Sequence, residues 1–236
     1  IIDTQTALAD LVDTLSNLPT SPPSLYLDLE GENLGRKGTI AILQLHLLPT
    51  HHTYLIDVHT LQHATFTTTG HSGTTLKSVL ESATIPKVFF DVRHDSDALY
   101  HLYGVSLAGI KDLQLMKHAT YSDTRYVKGL ATCIQWDAGL ATSELHAAWA
   151  VKEAGKKLFC PELGGSYAVF SQRPLLDDII RYCAQDAYIL PLLYERYDWL
   201  INREHFATYF RETIARHEKM RVKDSQSEYF ASWGKD

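Results

Sequence analysis

In Leu25-Tyr26-Leu27-Asp28-Leu29-Glu30 apolar and polar residues alternate. A strand with that period sends Leu25, Leu27 and Leu29 to one face and Tyr26, Asp28 and Glu30 to the other. The two carboxylates then lie roughly 7 Å apart along the backbone, pointing the same way. Like charges that close repel unless a cation lies between them or one is protonated. A hard divalent cation such as Mg²⁺, which takes oxygen ligands, meets the first condition. An exposed strand face carrying two solvated acids would read the same.

Two later segments offer further acids. Read as a helix, Asp178 to Leu190 places Ile179, Tyr182, Cys183, Asp186, Leu190 and Leu193 on one stripe. An unpaired carboxylate at Asp186 would be costly there, so a metal or a buried basic partner must compensate it. Tyr182 lies one turn earlier and reaches whatever Asp186 binds. Pro191 cannot donate to the Ala187 carbonyl, which predicts a kink or restart. Between Lys87 and Leu99 stand Asp91, Asp95 and Asp97. Asp95 shares a helical face with Ala98, Leu99 and Leu102, whereas Asp97 falls opposite, beside His101. Asp91 sits at a strand end, where it can cap the next turn. Asp95 is the inward candidate and Asp97 the alternative.

The elements that must position these groups follow from pattern. A helix capped by Asp3 or Thr4 runs to about Leu18 and ends before Pro19-Thr20-Ser21-Pro22-Pro23. Three alternating segments, Ser24 to Glu30, Thr39 to Leu47 and Thr53 to Val58, predict successive strands, with Gly31 to Gly38 joining the first two. Thr74 to Ala83 reads as a helix, Lys87 to Phe90 as a buried strand, His94 to Tyr103 as a helix and Gly109 to Asp112 as a short strand. Helices follow, interrupted by a long connection from Gly155 to Pro174 of the kind that is usually functional. Strands followed by βα units predict one mixed-sheet α/β domain over residues 1–236, with a core to about 200 and a helical extension from about 201.

Composition narrows the class. The chain has 236 residues, 22 basic and 28 acidic, for a net charge of −6. A protein that holds nucleic acid by charge neutralisation alone is usually basic, but metal ions held by carboxylates can supply the positive charge instead. The three cysteines form no CxxC pair, which argues against a disulfide framework or a structural zinc and for an intracellular, cytoplasmic or nuclear, setting. His46, His51, His52, His59 and His63 form no ligand set with a cysteine or acid and read as surface residues. No run is long and apolar enough for a membrane span. Neither a glycine-rich dinucleotide loop nor a P-loop occurs. The chain starts at Ile1 without a methionine and reads as part of something longer.

In order, these pieces resemble the DEDD superfamily of 3′→5′ exonucleases, in its DEDDy, RNase D-like branch. Asp28 and Glu30 match the D-x-E motif, and Gly35-Arg36-Lys37-Gly38-Thr39-Ile40 with Leu43-Gln44-Leu45 match the text after it. Asp95 matches the second motif, between Lys87 and Leu99. Tyr182 and Asp186 match Y-x-x-x-D, preceded by Arg173-Pro174-Leu175. Asp91-Val92-Arg93 and Gly164-Gly165-Ser166-Tyr167 look closest to Egalitarian-like domains. Phe90 and Asp91 depart from the His and small residue often found there.

The resemblance covers about Ile1 to Tyr197. It implies a ribonuclease H-like (DnaQ-like exonuclease) fold, a mixed sheet with flanking helices. It also implies two divalent ions, Mg²⁺ or Mn²⁺, on Asp28, Glu30, Asp95 and Asp186, with Tyr182 orienting the attacking water. The activity expected is hydrolysis of single-stranded RNA or DNA from the 3′ end to nucleoside 5′-monophosphates. The alternative is a catalytically weak or inactive nucleic-acid-binding or adaptor module. Stacking candidates are Leu34, Phe159, Tyr167 and Phe170; the last two also have an ordinary core reading, which is the better one for Phe170. Leu29, Arg36, Lys152, Lys156, Lys157 and Arg173 are further candidates to line the strand's path.

Overall fold

The Thr4 hydroxyl accepts the Ala7 N–H at 3.3 Å and opens α1 (Gln5–Thr14). The computed structural model describes residues 1–120, 126–203 and 207–227. Three strands follow α1: β1 (Leu25–Glu30), β2 (Ile42–Leu47) and β3 (His52–Ile56). Then come α2 (Val58–Leu61), α3 (Ala64–Thr67), α4 (Leu76–Glu81), β4 (Lys87–Phe89), α5 (Arg93–Tyr103) and β5 (Ile110–Asp112). The chain finishes with α6 (Leu113–Thr120), α7 (Leu130–Asp137), α8 (Thr142–Phe159), α9 (Asp177–Arg203) and α10 (Ala207–Ser225). The expected C-terminal extension lies partly outside the described residues.

The five strands form one mixed sheet in the order β3-β2-β1-β4-β5, antiparallel between β1, β2 and β3 and parallel between β1, β4 and β5. The central strand is therefore β1, the one bearing Asp28 and Glu30. Its alternation works as the sequence predicts. Leu25, Leu27 and Leu29 join a core with α1, α4 and α5 on one side of the sheet. On the other side Tyr26 packs with Leu190, Leu193 and Tyr197 of α9, and Ile42 with Tyr182 and Cys183. Gly31 lets the chain leave β1 at once, because a Cβ there would stand 2.0 Å from the Thr39 carbonyl oxygen.

Four expectations change. The first helix stops at Thr14, short of Leu18. Gly155 belongs to α8 rather than to a loop, and the connection that follows holds two short 3₁₀ turns, Pro161–Leu163 and Tyr167–Ser171. The long helix α9 continues through Pro191, held by Ile189, Leu190, Leu193 and Tyr197 buried on either side. His46 is not a surface residue: it is 1% exposed, its Nδ1 is 2.9 Å from Thr53 Oγ1, and its ring meets Tyr26 and Tyr188 edge-on. The other four histidines of that group are exposed. Among the described residues, no helix is long and apolar enough to cross a membrane.

Candidate active site

Because α9 crosses the sheet face that carries Asp28 and Glu30, its own carboxylate meets them. Asp28, Glu30 and Asp186 each bring an oxygen within 4.8 Å of the others'. Asp28 and Glu30 keep part of their surface open, while Asp186 is 2% exposed. Asp95, in the first turn of α5, is 5% exposed, and its Oδ1 is buried without a hydrogen-bond partner. Its charge acts on Glu30, and that of Asp28 acts on it.

The electrostatics are those of a site with too many acids. Desolvation and the Asp186 charge push Asp28 up to about 7, against the pull of Lys152. Desolvation, then Asp28 and Asp186, raise Glu30 well above the usual carboxylate range. Desolvation and Asp28 do the same to Asp95. The opposing cation is Lys152 of α8, whose Nζ lies 2.7 and 3.0 Å from the two Asp186 oxygens. An all-oxygen donor set with surplus negative charge and an unpartnered buried oxygen fits a hard divalent cation.

Tyr182 sits one turn before Asp186, 7% exposed, with Lys152 Nζ 5.3 Å from its ring centre. The ring packs into a cluster with Phe159 at 5.0 Å and Phe170 at 6.5 Å, and Tyr167 continues the cluster 5.7 Å from Phe159. Its other support is Gly155, where a Cβ would stand 2.7 Å from Tyr182 Cβ, Cγ and Cδ2. Desolvation, with Asp186 and Glu30 nearby, raises the Tyr182 phenol well above its ordinary value.

Asp97 is buried, as Asp95 is, but already partnered. It accepts the Arg36 backbone N–H at 2.6 Å and pairs with the Arg36 guanidinium at 2.7 Å. Asp91 does not cap the next turn. Its own backbone is left-handed (φ 60°), and Asp112 accepts the Asp91 and Val92 N–H groups at 3.1 and 3.2 Å, while Arg93 holds the Asp91 carboxylate.

The strand-path candidates divide. The Arg36 guanidinium also donates to the Ser225 and Ser227 carbonyls. Arg173 pairs with buried Asp57 at 2.5 Å and donates to the Phe170 carbonyl. Leu29 is 2% exposed in the core, Leu34 packs against that same core, and Phe170 is fully buried. Lys157 is exposed, Lys156 lies 3.7 Å from Glu153, and Tyr167 is half-buried with Glu30 among the charges raising its phenol. Sequence reading did not foresee that Gly155 seats Tyr182 or that Lys152 is the partner of Asp186. The signal available was their spacing, three apart on one helix, which puts both on one face.

Comparison with known proteins bears on the fold and the family. No curated protein matches the chain. Trypanosoma brucei RNase D in complex with RNA U12 is similar with a TM-score of 0.74 at 23% identity, over 96% of this chain and 70% of that one. Escherichia coli RNase D gives 0.65 at 18%, over 96% and 50%. The Aedes aegypti Nibbler EXO domain gives 0.60 at 16%, over 91% and 94%. At those identities the likeness is one of fold, the ribonuclease H-like exonuclease fold. A family model described as 3′-5′ exonuclease matches residues 1–197, the span that contains all four acids and Tyr182, and so the chain belongs to the 3′-5′ exonuclease family.

Proposed function

We propose that the chain is a metal-dependent exonuclease that shortens single-stranded RNA or DNA from the 3′ end to nucleoside 5′-monophosphates. In this reading Asp28, Glu30, Asp95 and Asp186 hold two divalent ions, Mg²⁺ or Mn²⁺. The observation that carries it is the charge surplus: three acids share one 4.8 Å cluster and the buried Asp95 oxygen beside them has no partner. Asp95 is preferred to Asp97 because Arg36 already engages Asp97. Bound there, such ions would lower the pKa of a bound water and offset charge on the phosphate and the departing 3′ oxygen.

The chain's own residues do the rest. Asp28 and Glu30 project from the central strand, which pairs with β2 along its whole length, so their oxygens are aimed before substrate arrives. Tyr182, with its phenol raised and its ring fixed by Gly155 and Phe159, remains an O–H donor that orients a water rather than a base that deprotonates it. Half-buried Tyr167 and the exposed Lys157 suit a stacked base and a backbone phosphate. The RNA in the Trypanosoma brucei RNase D complex supports a nucleic-acid strand as substrate class.

The test is to incubate the domain with 5′-labelled RNA and DNA of one sequence in Mn²⁺, Mg²⁺ or EDTA, beside Asp186→Asn. A metal-dependent ladder shortening from the 3′ end, absent in the variant, is expected, and the faster ladder names the substrate. Retention of the oligonucleotide on a gel with no shortening under any metal would turn the assignment to the binding-module alternative.

A further inference from the structure

Lys152 is 6% exposed and reaches from α8 to both oxygens of a carboxylate that is 2% exposed. Its charge also acts on Asp28 and Glu30. Its Nζ also lies over the Tyr182 ring, 5.3 Å from the ring centre. We propose that Lys152 is a built-in stand-in for the divalent ion: it holds Asp186 in place while the site is empty of metal, and it competes with metal for that carboxylate. The inference rests on the exonuclease reading of the four acids and adds to it the residue that sets metal affinity.

The choice of lysine fits this role. Three other buried acids are paired with arginine, Asp57 with Arg173, Asp97 with Arg36 and Asp112 with Arg221, while Asp137 is paired with a second lysine, Lys117, at 2.7 Å. An arginine fork binds a carboxylate through a rigid two-point grip. A lysine ammonium is a point charge on a flexible stem, able to let go and swing aside without moving the helix. Both cations cannot share Asp186 at full strength, because a like charge within a few ångströms repels through the poorly screened interior. Lys152 is thus a positioning residue, acting through Asp186.

The experiment measures Mn²⁺ binding to the metal-stripped domain by calorimetry, without nucleic acid. Lys152→Met keeps the stem and removes the charge. It is expected to bind Mn²⁺ about tenfold more tightly than the unaltered chain and to melt at a lower temperature in EDTA. Lys152→Arg keeps the charge and strengthens the grip, so it is expected to stay folded and bind Mn²⁺ more weakly. It also provides the test should the Met variant fail to fold without metal. In an Asp186→Asn background the gap between the Lys and Met forms is expected to shrink to what the Lys152 charge exerts through Asp28 and Glu30. Equal or weaker Mn²⁺ binding by Lys152→Met, or unchanged binding by Lys152→Arg, overturns the inference. Asp28→Asn separates the two layers of argument. If the unaltered chain binds no Mn²⁺, or Asp28→Asn leaves its binding unchanged, the reading of the four acids is what fails.

Discussion

Two clusters of acids meet at the start of α5, and they are built on opposite principles. In one, Asp91, Asp112 and Glu218 are interleaved with Arg93 and Arg221. Arg221 Nη1 lies 2.6 Å from Asp112 and 3.3 Å from Asp91, and Asp112 also accepts the N–H groups of Asp91, Val92 and Gln114. Burial pushes Asp91 up, but Arg93 and Arg221 outweigh it and leave its carboxyl below the usual range. In the other, Asp28, Glu30, Asp95 and Asp186 face Lys152, and burial with mutual repulsion raises the first three. In the first cluster Arg93 and Arg221 answer the acids directly; in the second, four acids face Lys152, which pairs with Asp186, and one buried Asp95 oxygen has no partner. A count of buried acids does not mark a site. The imbalance of their partners does.

The sharpest way to break that contrast is to neutralise one acid on each side. Asp28→Asn is expected to lower the single-turnover rate about a thousandfold or more, the equivalent of about 4 kcal/mol of barrier. Its melting temperature in EDTA should hold or rise, since a repelling charge is gone. Asp112→Ala should do the reverse. It takes from Arg221 the nearer of its two carboxylates and leaves three backbone N–H groups without their acceptor in a buried place, and a loss of about 3–5 kcal/mol is expected in urea unfolding, with Mn²⁺ giving no rescue. An Asp28→Asn protein that unfolds, or an Asp112→Ala protein of ordinary stability, would erase the distinction.

What the sequence made legible was the acid positions, because each rests on a local period. Alternation puts Asp28 and Glu30 on one strand face, and the four-residue spacing puts Tyr182 above Asp186. Hidden were the partners, which come from far along the chain: Lys152 lies 34 residues before Asp186, Arg36 61 before Asp97 and Arg173 116 after Asp57. Local spacing holds no information about those separations, so Arg36 and Arg173 looked like surface cations free for a strand. His46 shows the same limit. Its place on β2 was legible, but not the Tyr26 and Tyr188 rings that bury it.

Gly155→Ala probes how tightly the open cluster is braced. A methyl at the position where Cβ would stand 2.7 Å from Tyr182 must displace the ring or the helix. Overpacking of that kind costs about 1–3 kcal/mol, and the displaced phenol should lower the turnover rate while Mn²⁺ binding stays unchanged. Loss of metal binding in this variant would instead mean that α8 and α9 move as one body, carrying Asp186 with them.

The smallest effect is a slope in pH, and metal should sort its two sources. Asp28 titrates at about 7 in the fold against 3.8 unfolded, and Glu218 at about 7 against 4.5, the latter mainly through desolvation. A carboxyl whose pKa is raised by folding holds more protons in the native state than in the unfolded one across that window. Stability contributed this way is fully present near pH 4 and is lost as pH rises through 7. In EDTA both clusters contribute to the decline. Saturating Mn²⁺ favours the ionised form of Asp28 and its neighbours and should remove their share, leaving that of Glu218. Glu218→Gln keeps an acceptor for the Asp112 N–H, which Glu218 takes at 2.8 Å, and removes the titrating proton. With Mn²⁺ present, urea midpoints of this variant should match those of the unaltered chain at pH 5 and exceed them at pH 8. If the decline persists unchanged in Glu218→Gln with Mn²⁺ bound, the balanced cluster is not its source, and the contrast between the two clusters is blunter than their geometry implies.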